Sequence, residues 1–134
     1  MVLGMSTAAN MALLAIGALK HPKFLSLCSL EDVEIDLKRG EDSEPKTVRN
    51  TKDLVGSRGI DGIKTGTTRR SGPCLMAAAF AGDGDAGRIV MVVLDAEDRF
   101  RETVLLLYRG WEERSRLESA GEPVTNRRLL SLAK

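Results

Sequence analysis

The spacing of apolar positions changes along this chain, and each change marks an element. Thr7 to Lys20 is rich in Ala, a strong helix former, and Ser6 before it is a suitable N-cap. Met11, Leu14, Ala15 and Ala18 recur at helical spacing, so the segment reads as an amphipathic helix that His21-Pro22 ends. Phe24 to Leu30 is a short apolar segment whose pattern fits a helix or an extended stretch. Val33-Glu34-Ile35-Asp36-Leu37 alternates strictly, the period of a half-buried strand. Lys38 to Lys46 is charged, contains Gly and Pro, and reads as an exposed hairpin tip or loop, with Thr47 to Val55 returning as strand and turn.

Leu75–Ala81 and Ile89–Leu94 are two apolar runs joined by a Gly/Asp-rich turn, as in an antiparallel hairpin. From Asp98 to Glu113 the period returns to that of a helix, with Phe100, Val104, Leu107, Tyr108 and Trp111 on one face. The expected fold class is α/β in the α+β sense: an antiparallel sheet, a long helix packing on it, and no internal repeat. Residues 1–118 form the structured part, and 119–134 a loosely held tail with Gly, Pro and basic residues.

Composition narrows the function. The chain has 134 residues, 43% of them hydrophobic, with 20 basic against 19 acidic residues, which suits one folded domain. The balanced charge and 4% aromatic content leave no basic face or stacking platform for nucleic acid. Two cysteines and one histidine are too few for a disulfide framework, a zinc site or a histidine-based triad, so no metal or cofactor is implied. His21 reads as a helix-end residue, and Cys74 as a packed side chain. Apolar runs stop short of the ~18–20 residues that span a bilayer. Met11–Leu19 lacks the basic flank and clean cleavage site of a secretion signal.

The densest stretch is Gly59 to Gly66, GIDGIKTG. A phosphate-binding loop is excluded because Ile63, and not Gly, precedes Lys64-Thr65. On a strand, a Lys and a Thr hydroxyl can hold a carboxylate together, and the next Gly lets a ligand backbone lie close. A strand edge can also pair with an extended peptide. Arg69-Arg70 fits a solvated turn, or a pair that guides an anionic peptide.

Residues 60–76, IDGIKTGTTRRSGPCLM, resemble the D-alanyl-D-alanine carboxypeptidase family of penicillin-binding serine enzymes. The matching positions are Asp61 to Gly66, Thr68, Ser71-Gly72 and Cys74-Leu75. Met5-Ser6-Thr7-Ala8, His21-Pro22, Arg49-Asn50-Thr51 with Leu54, Ile89–Leu94 and Arg99–Trp111 extend the resemblance over about residues 5 to 113. It implies a β-lactamase/transpeptidase-like fold and an extracytoplasmic serine hydrolase that removes the last D-Ala of peptidoglycan stem peptides through an acyl-enzyme. By the resemblance Lys64, Thr65 and Gly66 bind the substrate, and the Thr67 backbone N–H is one oxyanion donor. β-Lactams would act as mimics wherever the nucleophile is supplied.

The chain departs from the family in two of its three motifs, Ser-x-x-Lys and Ser-x-Asn, K-T-G being the third. No Ser-x-Asn occurs, and Ser-x-x-Lys occurs only as Ser43–Lys46 and Ser131–Lys134. Neither has the buried helix start that lets the Lys take the Ser proton. The expectation is a carboxy-terminal part of a catalytic domain, inactive alone, with an exposed core face through which it associates. The competing expectation is a non-catalytic peptide-binding protein, or a subunit that complements a nucleophile-bearing chain.

Overall fold

The computed structural model describes residues 4–51, 54, 56, 58–80 and 87–124. Helices α1 (Ala8–Ala18) and α2 (Pro22–Cys28) lead into a two-stranded hairpin, β1 (Asp32–Arg39) and β2 (Asp42–Arg49). A three-stranded antiparallel sheet follows, of β3 (Lys64–Thr68), β4 (Gly72–Phe80) and β5 (Arg88–Val93) in the order β3-β4-β5. Helix α3 (Arg99–Ser119) completes the α+β arrangement.

Sheet residues alternate between two covered faces. Leu75, Ala77, Ala79, Ile89 and Met91 pack with Ile60 against Leu107 of α3. Met76, Ala78 and Val90 join Ile63 against Ala15 of α1. Near-continuous apolar strands are what two helix layers demand.

Helix α1 is capped one residue later than the sequence suggests: the Thr7 hydroxyl, not Ser6, accepts from the Asn10 N–H at 3.2 Å. Its buried residues are Ala12 and Ala15, whereas Leu14 is 62% exposed, so the predicted face is rotated. Alanines let the helix backbone sit close to the sheet, and that contact outweighs burial of the larger leucines. Phe24–Leu30 resolves as helix over most of its length, with Pro22 at the first turn, where its missing N–H costs nothing.

The hairpin differs most from expectation. Most of the predicted loop Lys38–Lys46 is strand, and only Gly40 and Glu41 connect Arg39 to Asp42. Gly40 takes φ +66, which suits a residue without Cβ. Pro45 is tolerated opposite Asp36 because β2 has no second neighbour among the described residues to receive a hydrogen bond. The alternation of β1 is present, yet every residue of both strands is exposed, Val33, Ile35, Leu37 and Val48 included. Asn50 closes the hairpin base, its side chain donating to the Leu30 carbonyl at 2.7 Å and to Cys28 at 3.3 Å.

Helix α3 starts at the expected place, where the Asp98 carboxylate accepts from the Arg101 N–H at 3.0 Å, but runs past Glu113 to Ser119. Leu117, fully buried, and the Arg114–Glu118 pair lie in that extension, from which Arg116 pairs back with Glu113. Of the predicted face, Leu107 is buried and Phe100 and Trp111 pack on the core, while Tyr108 stays 41% exposed. Gly110 lets α3 approach β5, since a Cβ there would meet Ile89 Cγ2 at 2.9 Å. The expected tail beyond residue 124, and the turn 81–86, lie outside the described residues.

Candidate functional site

Lys64-Thr65-Gly66 opens β3, and β3 is an edge strand among the described residues. A one-residue shift in pairing sets its orientation. Ile60 bridges Ala79, and the N–H groups of Asp61 and Ile63 donate to the carbonyls of Ala78 and Met76. From Lys64 onward the partner is one place further along, with Lys64 itself opposite Met76. Ile63 and Lys64 therefore face a single residue, as in a β-bulge. The bulge sets both against Met76, with Ile63 buried and Lys64, next to it, exposed. Gly62, at φ +55, supplies the backbone conformation just before it.

The lead-in is clamped from three sides. The Asp61 carboxylate accepts from Arg88 Nε of β5 at 2.8 Å and from the Ser29 hydroxyl, just beyond α2, at 3.3 Å. Cys28 Sγ donates to the Ile63 carbonyl at 3.8 Å. Asp61 and Arg88 side chains are only 15% and 24% exposed, so removing one leaves the other charge half-buried. Asp61→Ala is expected to lower stability by about 1–3 kcal/mol, with Asp61→Asn recovering part of it, as read by thermal melts.

Around the strand the chemistry is cationic. The Lys64 ammonium donates to the Thr65 carbonyl, and the Lys64 side chain is exposed. Thr65 is 7% exposed, with its hydroxyl 2.8 Å from that of Thr51. Arg99, the first residue of α3, donates from Nη1 to the Thr67 hydroxyl at 2.9 Å and to the Gly66 carbonyl at 3.2 Å. Sequence reasoning gave Arg99 no site role. A signal was present: a cation in the first helical turn opposes the helix dipole, so something else must favour it there. An added Cβ at Gly66 would meet no other atom within 4 Å, so nothing in this chain requires glycine at that point.

A profile of the D-alanyl-D-alanine carboxypeptidase family matches residues 3–98. The chain belongs to this family. It is similar to penicillin-binding protein D2 from Listeria monocytogenes in its cefotaxime-bound form, at 30% identity and a TM-score of 0.55. That match covers 74% of this chain and 38% of the other. The ampicillin-bound form of the same protein is 31% identical, with a TM-score of 0.53 and coverage of 69% and 36%. No curated protein matches the chain. The chain thus spans under two fifths of these penicillin-binding relatives.

The carboxypeptidase family's nucleophile pattern can be checked against position. Ser43 and Lys46 lie on β2, three residues apart, so they project to opposite faces of the hairpin. A helix would bring that pair together; a strand separates it. Ser131–Lys134 lies outside the described residues. His21 is exposed between α1 and α2, and Cys28 and Cys74 are free thiols. No cluster of three or more His, Cys, Asp or Glu suited to a metal occurs among the described residues.

Proposed function

We propose that this chain provides the carboxylate-gripping strand of a serine-type D-Ala-D-Ala carboxypeptidase, with Lys64, Thr65 and Gly66 as substrate-binding residues. The observation that carries this reading is the edge position of Lys64-Thr65-Gly66 beside the Arg99 guanidinium. The ligand is a peptidoglycan stem peptide ending in D-Ala-D-Ala, laid antiparallel along β3. Its terminal carboxylate meets Lys64 and the Thr65 hydroxyl, with the Arg99 charge beside them. When the Thr51 hydroxyl donates to Thr65 Oγ1, the Thr65 hydrogen is free to donate to the ligand. Gly66 leaves the room a ligand backbone needs.

The Thr67 backbone N–H is the oxyanion donor of this reading. Thr67 stands opposite Pro73, which has no N–H to exchange, and this favours an outward-facing Thr67 N–H on the free edge. Attack on the peptide carbonyl then requires a serine on a Ser-x-x-Lys element other than Ser43–Lys46 and Ser131–Lys134, and the acyl-enzyme so formed is hydrolysed. β-Lactams would acylate the same serine. The substrate assigns the chain to the periplasm or cell envelope. Leu13 and Leu14 of α1 and the apolar face of the hairpin are exposed, which supports association with further polypeptide.

Incubated alone with a fluorescent penicillin, the folded chain is expected to gain no mass. A covalent label on Ser43 or Ser131 would overturn the missing-nucleophile reading. The strand placement of Ser43 also favours a second reading, a non-catalytic peptide-binding or complementing subunit. Turnover on mixing with a chain that carries Ser-x-x-Lys selects the complementing subunit. Peptide binding without turnover selects the binding protein.

A further inference from the structure

We infer that Thr51 is a positioning residue for the carboxylate grip: it fixes which way the Thr65 hydroxyl points its proton, and so favours a C-terminal carboxylate over an amide. This role rests on the substrate-strand reading above and adds how the strand chooses the end group of its peptide. The two hydroxyl oxygens lie 2.8 Å apart, and Thr65 is only 7% exposed. Each hydroxyl carries one proton, so in such a pair one oxygen donates and the other accepts. A carboxylate only accepts, and when it is bound the Thr65 proton must face it. Thr51 then donates to Thr65 Oγ1, and each hydrogen bond in the chain strengthens the other. An amide end carries no charge and one oxygen in place of two, so the same chain grips it less.

Thr51 is exposed, yet the chain around it is anchored. Its neighbour Asn50 is pinned to the segment at the end of α2. The Asn50 side chain donates to the Leu30 carbonyl at 2.7 Å and to the Cys28 carbonyl at 3.3 Å, and its backbone N–H donates to the Glu31 carbonyl at 2.8 Å. The same segment reaches the lead-in of β3. The Ser29 hydroxyl donates to the Asp61 carboxylate at 3.3 Å, and Cys28 Sγ donates to the Ile63 carbonyl at 3.8 Å. Residues 28–31 thus hold Thr51 and the start of β3 in one frame, so the distance between the two hydroxyls does not depend on Thr51 alone. Thr67, two places along the strand, takes its hydrogen bond from the Arg99 guanidinium instead.

The test titrates an N-acetylated tripeptide ending in D-Ala-D-Ala, and the same peptide amidated at its C-terminus, into the intact chain and follows amide NMR shifts. Thr51→Val removes the hydroxyl and keeps the shape. It is expected to weaken binding of the acid roughly 3- to 10-fold, the range of one neutral hydrogen bond, and to leave the amide within about 2-fold. Thr51→Ser retains the hydroxyl and should keep the wild-type ratio of acid to amide affinity. Three results overturn the role of Thr51: an unchanged ratio in Thr51→Val, equal weakening of both peptides, or equal losses in Thr51→Val and Thr51→Ser. The strand reading survives any of them if Lys64→Ala still weakens capture of the acid. If the acid shows no Lys64-dependent binding, the strand reading fails and takes the role of Thr51 with it.

Discussion

Leu107→Ala is expected to destabilise the chain by about 2–5 kcal/mol, enough to unfold most of a domain at the lower end of ordinary stability. Leu107 is fully buried at the centre of the contact between α3 and the sheet, among Ile60, Leu75, Ala77, Ala79, Ile89 and Met91. Its neighbours explain why the loss falls toward the upper part of the range. Ala77 and Ala79 are short and cannot swing into a void, and Gly110 already brings α3 within contact of Ile89. Collapse would therefore need the whole helix to shift, and a helix held along its length shifts little. Urea melts followed by circular dichroism check this: the midpoint should fall with an unchanged slope. Leu107→Met, which conserves volume, should cost under about 1.5 kcal/mol. Equal losses in both variants would mean that side-chain shape, and not the cavity, governs the site.

How far the fold could be read from the residues depended on whether neighbours in sequence were also neighbours in energy. The β4–β5 hairpin was legible because two apolar runs around a Gly/Asp turn have few other solutions, and both faces of that sheet are covered. The face of α1 was misread because periodicity weighs Leu14 above Ala12, whereas close helix–sheet packing selects the small residue. Charge made residues 38–46 look like loop, but the cross-strand ladder needs backbone, and Lys38 opposite Ser43 pairs as well as any other residues.

The site divides in the same way. Lys64-Thr65-Gly66 stood out because its specificity is contained in contiguous residues. Arg99 did not, since it is 33 positions from Gly66 and only the return of α3 across the sheet brings its guanidinium to β3. The bulge at Ile63–Lys64 was hidden too, although Gly62 marked a backbone position free to leave the regular strand. A regular strand would have placed two successive residues on opposite faces. The bulge instead sets both Ile63 and Lys64 against Met76, with Ile63 packed in the α1-side cluster and the Lys64 side chain exposed.

Lys64→Ala is expected to weaken capture of a D-Ala-D-Ala peptide by roughly 10- to 100-fold, the equivalent of one charge-assisted hydrogen bond at ~1.5–3 kcal/mol. The fold should be untouched, because the Lys64 side chain is exposed and its hydrogen bond goes only to the neighbouring Thr65 carbonyl. Arg99→Gln is the informative comparison. Arg99 touches the Gly66 carbonyl and the Thr67 hydroxyl, so its loss removes charge and also loosens the strand. The expected result is a comparable loss of affinity accompanied by a lower melting temperature, against no thermal change for Lys64→Ala. A peptide amidated at its C-terminus separates the roles further. If Lys64 grips the carboxylate, wild type should bind the amide as weakly as Lys64→Ala binds the acid, and Lys64→Ala should hardly distinguish the two. An undiminished preference for the acid in Lys64→Ala would move the grip to Arg99 and leave Lys64 a surface lysine on an edge strand.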